Sequence, residues 1–233
     1  MRNKPSKPTV NNLRFAVLAV DTVVLTYHDD RLFVRLMSVN VPQHFRDKPG
    51  LPGGLIAPNE TAEQSSRKHV EQKTHIKSGR IYLEQVYTFT EIKRDPRNRV
   101  VAVAYLGLVP WEKLTKEEQQ DTNQSWWCPV NKVPKLAFDH NEILKVAINR
   151  FQARLTYTPI IAHILPTEFS LTELEESYEI LLNKKIDKRN FRKKIERLKL
   201  LKKLKKQRTG LRARPASLYK FNSMEVTILN MPV

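Results

Sequence analysis

An α+β chain in two modules is what this sequence predicts: a sheet-and-helix sandwich over residues 1–155, then a small basic module over residues 156–233. Three observations carry the prediction. Strand-like apolar runs come in pairs joined by turn signals. A long helical pattern starts near Asp139. After Thr158-Pro159 the texture changes to short capped helices, and charge concentrates there: 18 Lys/Arg against 8 Asp/Glu, a net of +10 over residues 151–233, against +7 over the longer stretch 1–150.

The elements follow in order. Leu13 to Asp21 (LRFAVLAVD) reads as a buried strand that Thr22 to Leu25 continue. His28 to Asp30 is a turn, and Arg31 to Met37 the second strand of a hairpin. VPQHFRDKPGLPGG reads as loop because of its Pro and Gly. Asn59 to Thr74 is polar and helix-compatible, with Thr61 as its N-cap. Ile81 to Ile92 and the strongly apolar Val100 to Val109 form a second hairpin around the turn KRDPRNR. Asp139 with Glu142 is a capping-box pattern, and Ile143, Val146, Ala147, Phe151 and Leu155 then keep helical spacing. Ser170 with Glu173 is a second box, opening a helix with Leu171, Leu174, Tyr178 and Leu181 on one face. Asp187 caps KRNFRKKIERL, whose Phe191, Ile195 and Leu198 must face a core. The turn signal Thr209-Gly210 then closes a basic hairpin.

Composition excludes several classes. Of the 233 residues 40% are hydrophobic, which fits a globular protein. The longest apolar runs are too short to span a bilayer, and the basic, polar start MRNKPSKPTVNN lacks the apolar segment of a secretory signal. The one cysteine, Cys128, allows no internal disulfide, suits a reducing cytoplasm and reads as a small buried hydrophobe. A net charge of +17 points to a polyanionic partner.

Two short helices followed by a basic hairpin match a winged helix-turn-helix. On the second helix Lys188, Arg189, Asn190, Arg192 and Lys193 fall on or beside the face away from the apolar stripe. Arg can bind guanine in a bidentate manner, Asn reads adenine, and Lys holds phosphate. In the wing Lys206, Arg208, Arg212 and Arg214 suit the backbone or the minor groove. These types predict a double-stranded DNA partner. RNA binding, a solvated basic helix and a membrane-surface helix are the weaker readings.

The stretch from Leu51 to Ile76, LPGGLIAPNETAEQSSRKHVEQKTHI, resembles the Nudix box: Gly, five residues, Glu, seven residues, then Arg-Glu-apolar-x-Glu-Glu-x-Gly-apolar. Gly54, Glu60, Val70 and Ile76 fit. Lys68 stands at the Arg; His69, Gln72 and Lys73 stand at glutamates, and His75 at the Gly. Mg²⁺ needs hard oxygen ligands. Gln72 brings no charge and Lys73 repels the ion, so no metal site and no efficient hydrolysis are expected. Glu63 and Glu71 lie nearby, but one residue turns a side chain about 100° around a helix.

The whole chain resembles the Nudix-related transcriptional regulators of NAD metabolism, the NrtR/NadQ type. LPGG, YLEQVYTF, KRDPRNRVVAVAY, WCPV, KLAFDHNEIL, LLNKKIDKRNFRKKI and RPASLYKF carry the resemblance, in order. It implies an N-terminal Nudix-like α/β/α sandwich fused to a C-terminal winged helix-turn-helix. It also implies a cytoplasmic homodimeric repressor of NAD biosynthesis or salvage genes at a palindromic operator. ADP-ribose or a related nucleotide, such as NAD or an ATP-like molecule, would act as effector, with no cofactor. Gly53, Gly54, Glu60, Lys73, Arg94 and Arg97 are the expected effector contacts, with Arg94 and Arg97 open to a role as dimer contacts instead, His69 assisting and Asp95 fixing one arginine. Trp111, Trp126 and Trp127 are candidates for stacking on adenine, at least two of them being core. An active Nudix hydrolase is the alternative.

Overall fold

The computed structural model describes residues 16–210 and 213–230, without side-chain detail at 208–210 and 213–215. Leu13 to Phe15 and Arg212 lie outside the described residues. The first strand, β1 (Val17–His28), pairs antiparallel with β2 (Arg31–Val41), with Leu25 opposite Val34, through the turn at Asp29 and Asp30. Both turn residues take positive φ, a conformation Asp tolerates better than most residues. The expected loop from Val41 to Gly54 instead contains two strands, β3 (Phe45–Gly50) and β4 (Gly53–Leu55). β3 is an edge strand with an irregular register to β2. Pro49 is tolerated there because an edge strand leaves one row of backbone groups unpaired.

Helix α1 (Ala62–Thr74) starts at the expected Thr61, whose side chain and backbone close a full capping box with Gln64. Strands β5 (Tyr82–Phe89) and β6 (Val100–Leu108) form the second hairpin. β6 also runs parallel to β1, Val17 opposite Val100 through Leu25 opposite Leu108. Short helix α2 (Lys116–Gln119) precedes β7 (Ser125–Pro129), which pairs with β2. The sheet order is β3-β2-β1-β6-β5, with β4 against β1 and β7 against β2.

Alternation along β1 assigns the layers. Val24 packs in a cluster with Val70 of α1, and buried Thr22 meets Ser66 of α1 at 2.7 Å. Neighbouring Val23 packs in the main core with Ile143, Ala147 and Phe151 of α3 (His140–Tyr157). The sheet therefore lies between α1 and α3, the sandwich the sequence predicts. Cys128 is buried in the main core, as expected.

α3 runs past residue 155 to Tyr157, and Gln152 donates to the Leu181 carbonyl at 2.9 Å. Beyond it come β8 (Phe169–Ser170), α4 (Leu171–Leu182), α5 (Lys188–Leu198), β9 (Leu201–Gly210) and β10 (Ala213–Phe221). Ser170 and Glu173 close the expected box, and Asp187 accepts from the Asn190 N–H. β8, β10 and β9 form a small antiparallel sheet, the wing. The same apolar core takes in Phe151 and Leu155 of α3, Leu174, Tyr178 and Leu181 of α4, and Phe191 and Ile195 of α5.

Candidate functional site

A cavity of about 420 Å³ opens beside β1, β2 and β4. Small-molecule sites span roughly 300–1,000 Å³. Its lining includes Asp21, Gly53, Gly54, Lys73, Arg94, Arg97, Phe138 and His140. Gly53 sits opposite Asp21 in the β1–β4 pair. A Cβ there would lie 2.2 Å from the Val20 carbonyl oxygen, so β4 can approach β1 only with glycine. At Gly54 a Cβ would meet the His69 ring at 2.5 Å.

Charge at the cavity is buried and interlocked. Arg94 donates to both carboxylate oxygens of Asp139, at 2.8 and 2.7 Å, and to Asp21 at 3.1 Å. The Leu51 N–H donates to His140 Nδ1 at 2.9 Å, which places a neutral ring's proton on Nε2, 3.3 Å from Asp21. Burial alone would raise the Asp21 carboxyl; His140 and Arg94 outweigh it and hold it below its ordinary value. Burial likewise opposes the Arg94 charge, and Asp139 and Asp21 prevail. Asp95 grips Arg97 through its backbone N–H (2.9 Å) and guanidinium (3.0 and 2.7 Å), the predicted fixing role. Arg97 also lies over the Phe138 ring, 5.3 Å from its centre.

Lys73 reaches from α1 to donate to the Gly53 carbonyl; burial lowers its affinity for the proton, and Asp21 partly restores it. Gly53, Gly54, Lys73, Arg94 and Arg97 thus meet in one place. Glu60 does not join them. It pairs with Lys68 and is absent from the lining, because two box positions of opposite charge satisfy each other. His69 is turned to the Leu55 carbonyl at 3.0 Å. None of the tryptophans lines the cavity: Trp111 stacks on His28 at 4.5 Å, and the buried Trp127 donates its indole N–H to the Glu118 carbonyl.

The Asp139–Glu142 box predicted for α3 is not formed. Asp139 is the N-cap residue, but its carboxylate goes to Arg94 and makes no capping bond. Sequence reasoning did not single out Asp21, Asp139 or His140 as site residues. The lone acid inside the apolar run of β1 was the available signal for Asp21, since an unpaired buried carboxylate is costly.

On α5 the side chains of Lys188, Arg189, Asn190, Arg192 and Lys193 are all exposed, as the stripe argument requires. Two are already engaged. Arg192 donates both bonds of a fork to the fully buried Glu175 of α4, and the Asn190 amide donates to Asp187 at 2.8 Å. Lys206 at the wing pairs with Glu168. The side chains of Arg208 and Arg214 lie outside the described residues, as does all of Arg212.

Sandwich, cavity and winged hairpin together define a class: a Nudix-type domain carrying a winged-helix module on its last helix. Residues 18–147 match the NUDIX domain, and residues 161–221 match the NrtR DNA-binding winged helix domain. The ADPR responsive transcriptional repressor NtrR of Acinetobacter baylyi is 30% identical over 210 residues, which cover 88% of this chain and 82% of that protein. The crystal structure of Shewanella oneidensis NrtR with a 27mer DNA superposes with a TM-score of 0.80 at 31% identity, over 93% of this chain and 99% of that one. The NUDIX domain of the same protein with ADP ribose gives a TM-score of 0.52 at 30% identity, over 62% and 94%. The chain belongs to the NrtR family of Nudix-related transcriptional regulators.

Proposed function

We propose that this chain is a transcriptional repressor that binds operator DNA through α5 and the wing and releases it when ADP-ribose or a related nucleotide fills the cavity. One observation carries the reading: a nucleotide-sized cavity with Arg94, Arg97 and Lys73 in its lining is joined, through α3, to a helix presenting exposed cations. Arg and Lys suit a diphosphate without a bridging metal. A homodimer on a palindromic operator at NAD-metabolism genes, in the cytoplasm, is the assembly that fits a two-fold winged-helix reader. Arg189, Lys188 and Lys193 meet DNA directly in this reading, with Arg208, Arg212 and Arg214 contributing from the wing. Asn190 reads a base after letting go of Asp187, and Arg192 contacts phosphate while still gripping Glu175.

The donor set of α1 does not suit Mg²⁺. Lys73 occupies one box position, Glu63 is tied to Arg67, and Glu71, held at about 2 by Lys77 and Ser78, turns toward the helix end. The reading is therefore of a sensor that keeps its ligand intact.

Calorimetry with ADP-ribose, NAD and ATP, without and with Mg²⁺, tests the cavity. A mobility-shift titration against promoter DNA, repeated with each nucleotide, tests the reader. Heat from ADP-ribose and loss of the shifted band are expected; AMP and ribose 5-phosphate formed from ADP-ribose with Mg²⁺ would favour the hydrolase.

A further inference from the structure

Four helices begin with a residue whose partner three positions on could close a capping box: Thr61/Gln64, Thr115/Glu118, Ser170/Glu173 and Asp139/Glu142. Three close reciprocally. The fourth, at the cavity, stays open, with Glu142 near Lys145 at 3.8 Å and Asp139 committed to Arg94. The backbone agrees. The three closed caps are extended, with ψ of 160, 166 and 160°, whereas Asp139 has ψ of 20°. It follows Phe138, which holds a left-handed φ of 51°.

We infer that the Arg94–Asp139 pair is a latch that reports cavity occupancy to the winged helix, an inference that rests on the proposed function. A phosphate that takes Arg94 must displace a carboxylate. Asp21 keeps His140 as a second partner and is hemmed in by β4. Asp139 is the one that can leave: the Glu142 N–H now bonds the Asp139 carbonyl at 2.9 Å, and turning the Asp139 backbone would free it to meet the side-chain oxygens instead. That turn takes the Asp139 backbone toward the extended form, at the joint between the cavity wall and α3. Phe151 and Leu155 of α3 pack in one core with Leu174 and Tyr178 of α4, so a change at this joint is passed to α4 and to α5. The two arrangements differ in what they offer a ligand, which coupling requires. With Arg94 latched the chain is competent for DNA; with Asp139 capping α3 it is not.

The test uses full-length protein, ADP-ribose, and a duplex selected by the wild type from random-sequence DNA. Asp139→Asn and Asp139→Ser both cap helices well and both lose the charge that holds Arg94. Without ligand, each is expected to bind the duplex at least fivefold more weakly than wild type. Each should bind ADP-ribose at least as tightly, and show less than a twofold further loss on adding it. Amide exchange on the wild type gives a readout that needs no variant: ADP-ribose should slow the first-turn amides of α3. A wild-type ligand response preserved undiminished in both variants, or first-turn exchange unchanged by saturating ligand, overturns the latch alone. Absence of any ADP-ribose binding or DNA release in the wild type overturns the proposed function, and the latch with it.

Discussion

The cavity and α5 both gather positive charge, but they hold it in opposite ways. Arg94 is buried and bonded on both sides, by Asp21 and Asp139. Arg189 and Lys193 are exposed and, among the described residues, enter no ion pair. Buried charge needs partners and gains directional geometry from them; exposed charge stays hydrated and acts at a distance that salt screens. A ligand that must be recognised by shape meets the first kind. A polyanion that must be found by diffusion meets the second.

The largest effect that could break this contrast is expected at Arg94. Arg94→Ala leaves two carboxylates facing each other in a buried site, so it should destabilise the fold by about 3–5 kcal/mol as well as abolish nucleotide binding. Urea unfolding followed by circular dichroism reads the first; calorimetry at low temperature reads the second. Unchanged stability would mean that the cavity's charges are no more committed than those of α5. Next comes the double change Arg189→Ala with Asn190→Ala. It should cost about 1–3 kcal/mol of sequence-specific DNA binding per lost base contact while leaving the unfolding midpoint in place.

Arg192 lies between the two regimes and sharpens the comparison. It is half exposed, yet its partner Glu175 is fully buried. Arg192→Ala is expected to lower stability by about 1–3 kcal/mol, since an orphaned buried acceptor is penalised. Pairing it with Glu175→Leu should recover most of that loss but not the DNA affinity. The smallest expected effect is on pH. The folded Asp21 carboxyl lies below its ordinary value of 3.8. The stability it contributes is therefore complete above that value and disappears as the pH falls through the lower, folded one. Asp21→Asn should flatten the acid limb of a stability–pH curve below pH 3.8, and leave the limb above it parallel to wild type.

Much of the fold was legible because its signals are local. Thr61, Ser170 and Asp187 cap where their neighbours say they should, and Phe191 and Ile195 bury as their spacing requires. β3 was missed because Pro49 and Gly50 mark loops in general, and only pairing with β2 makes this stretch an edge strand. The box frame was legible down to His75, which stands where glycine is usual and takes the left-handed φ of 62° that favours glycine. The site was legible only in part. Arg94, Arg97 and Lys73 could be named from motif positions, but their partners are set by tertiary contacts. Asp139 is 45 residues from Arg94, and Asp21 is 73. A four-residue pattern cannot reveal that its first member is claimed from so far away.

The continuity of the core decides how the chain comes apart. Apolar side chains touch without a seam from Val23 in β1, through Phe151 in α3, to Ile195 in α5. A fragment starting at residue 156 would strip Leu174 and Tyr178 of the neighbours they need, and would be expected to stay molten. Heating the intact chain should melt sheet and wing together in a single calorimetric peak, although two separate family models describe them.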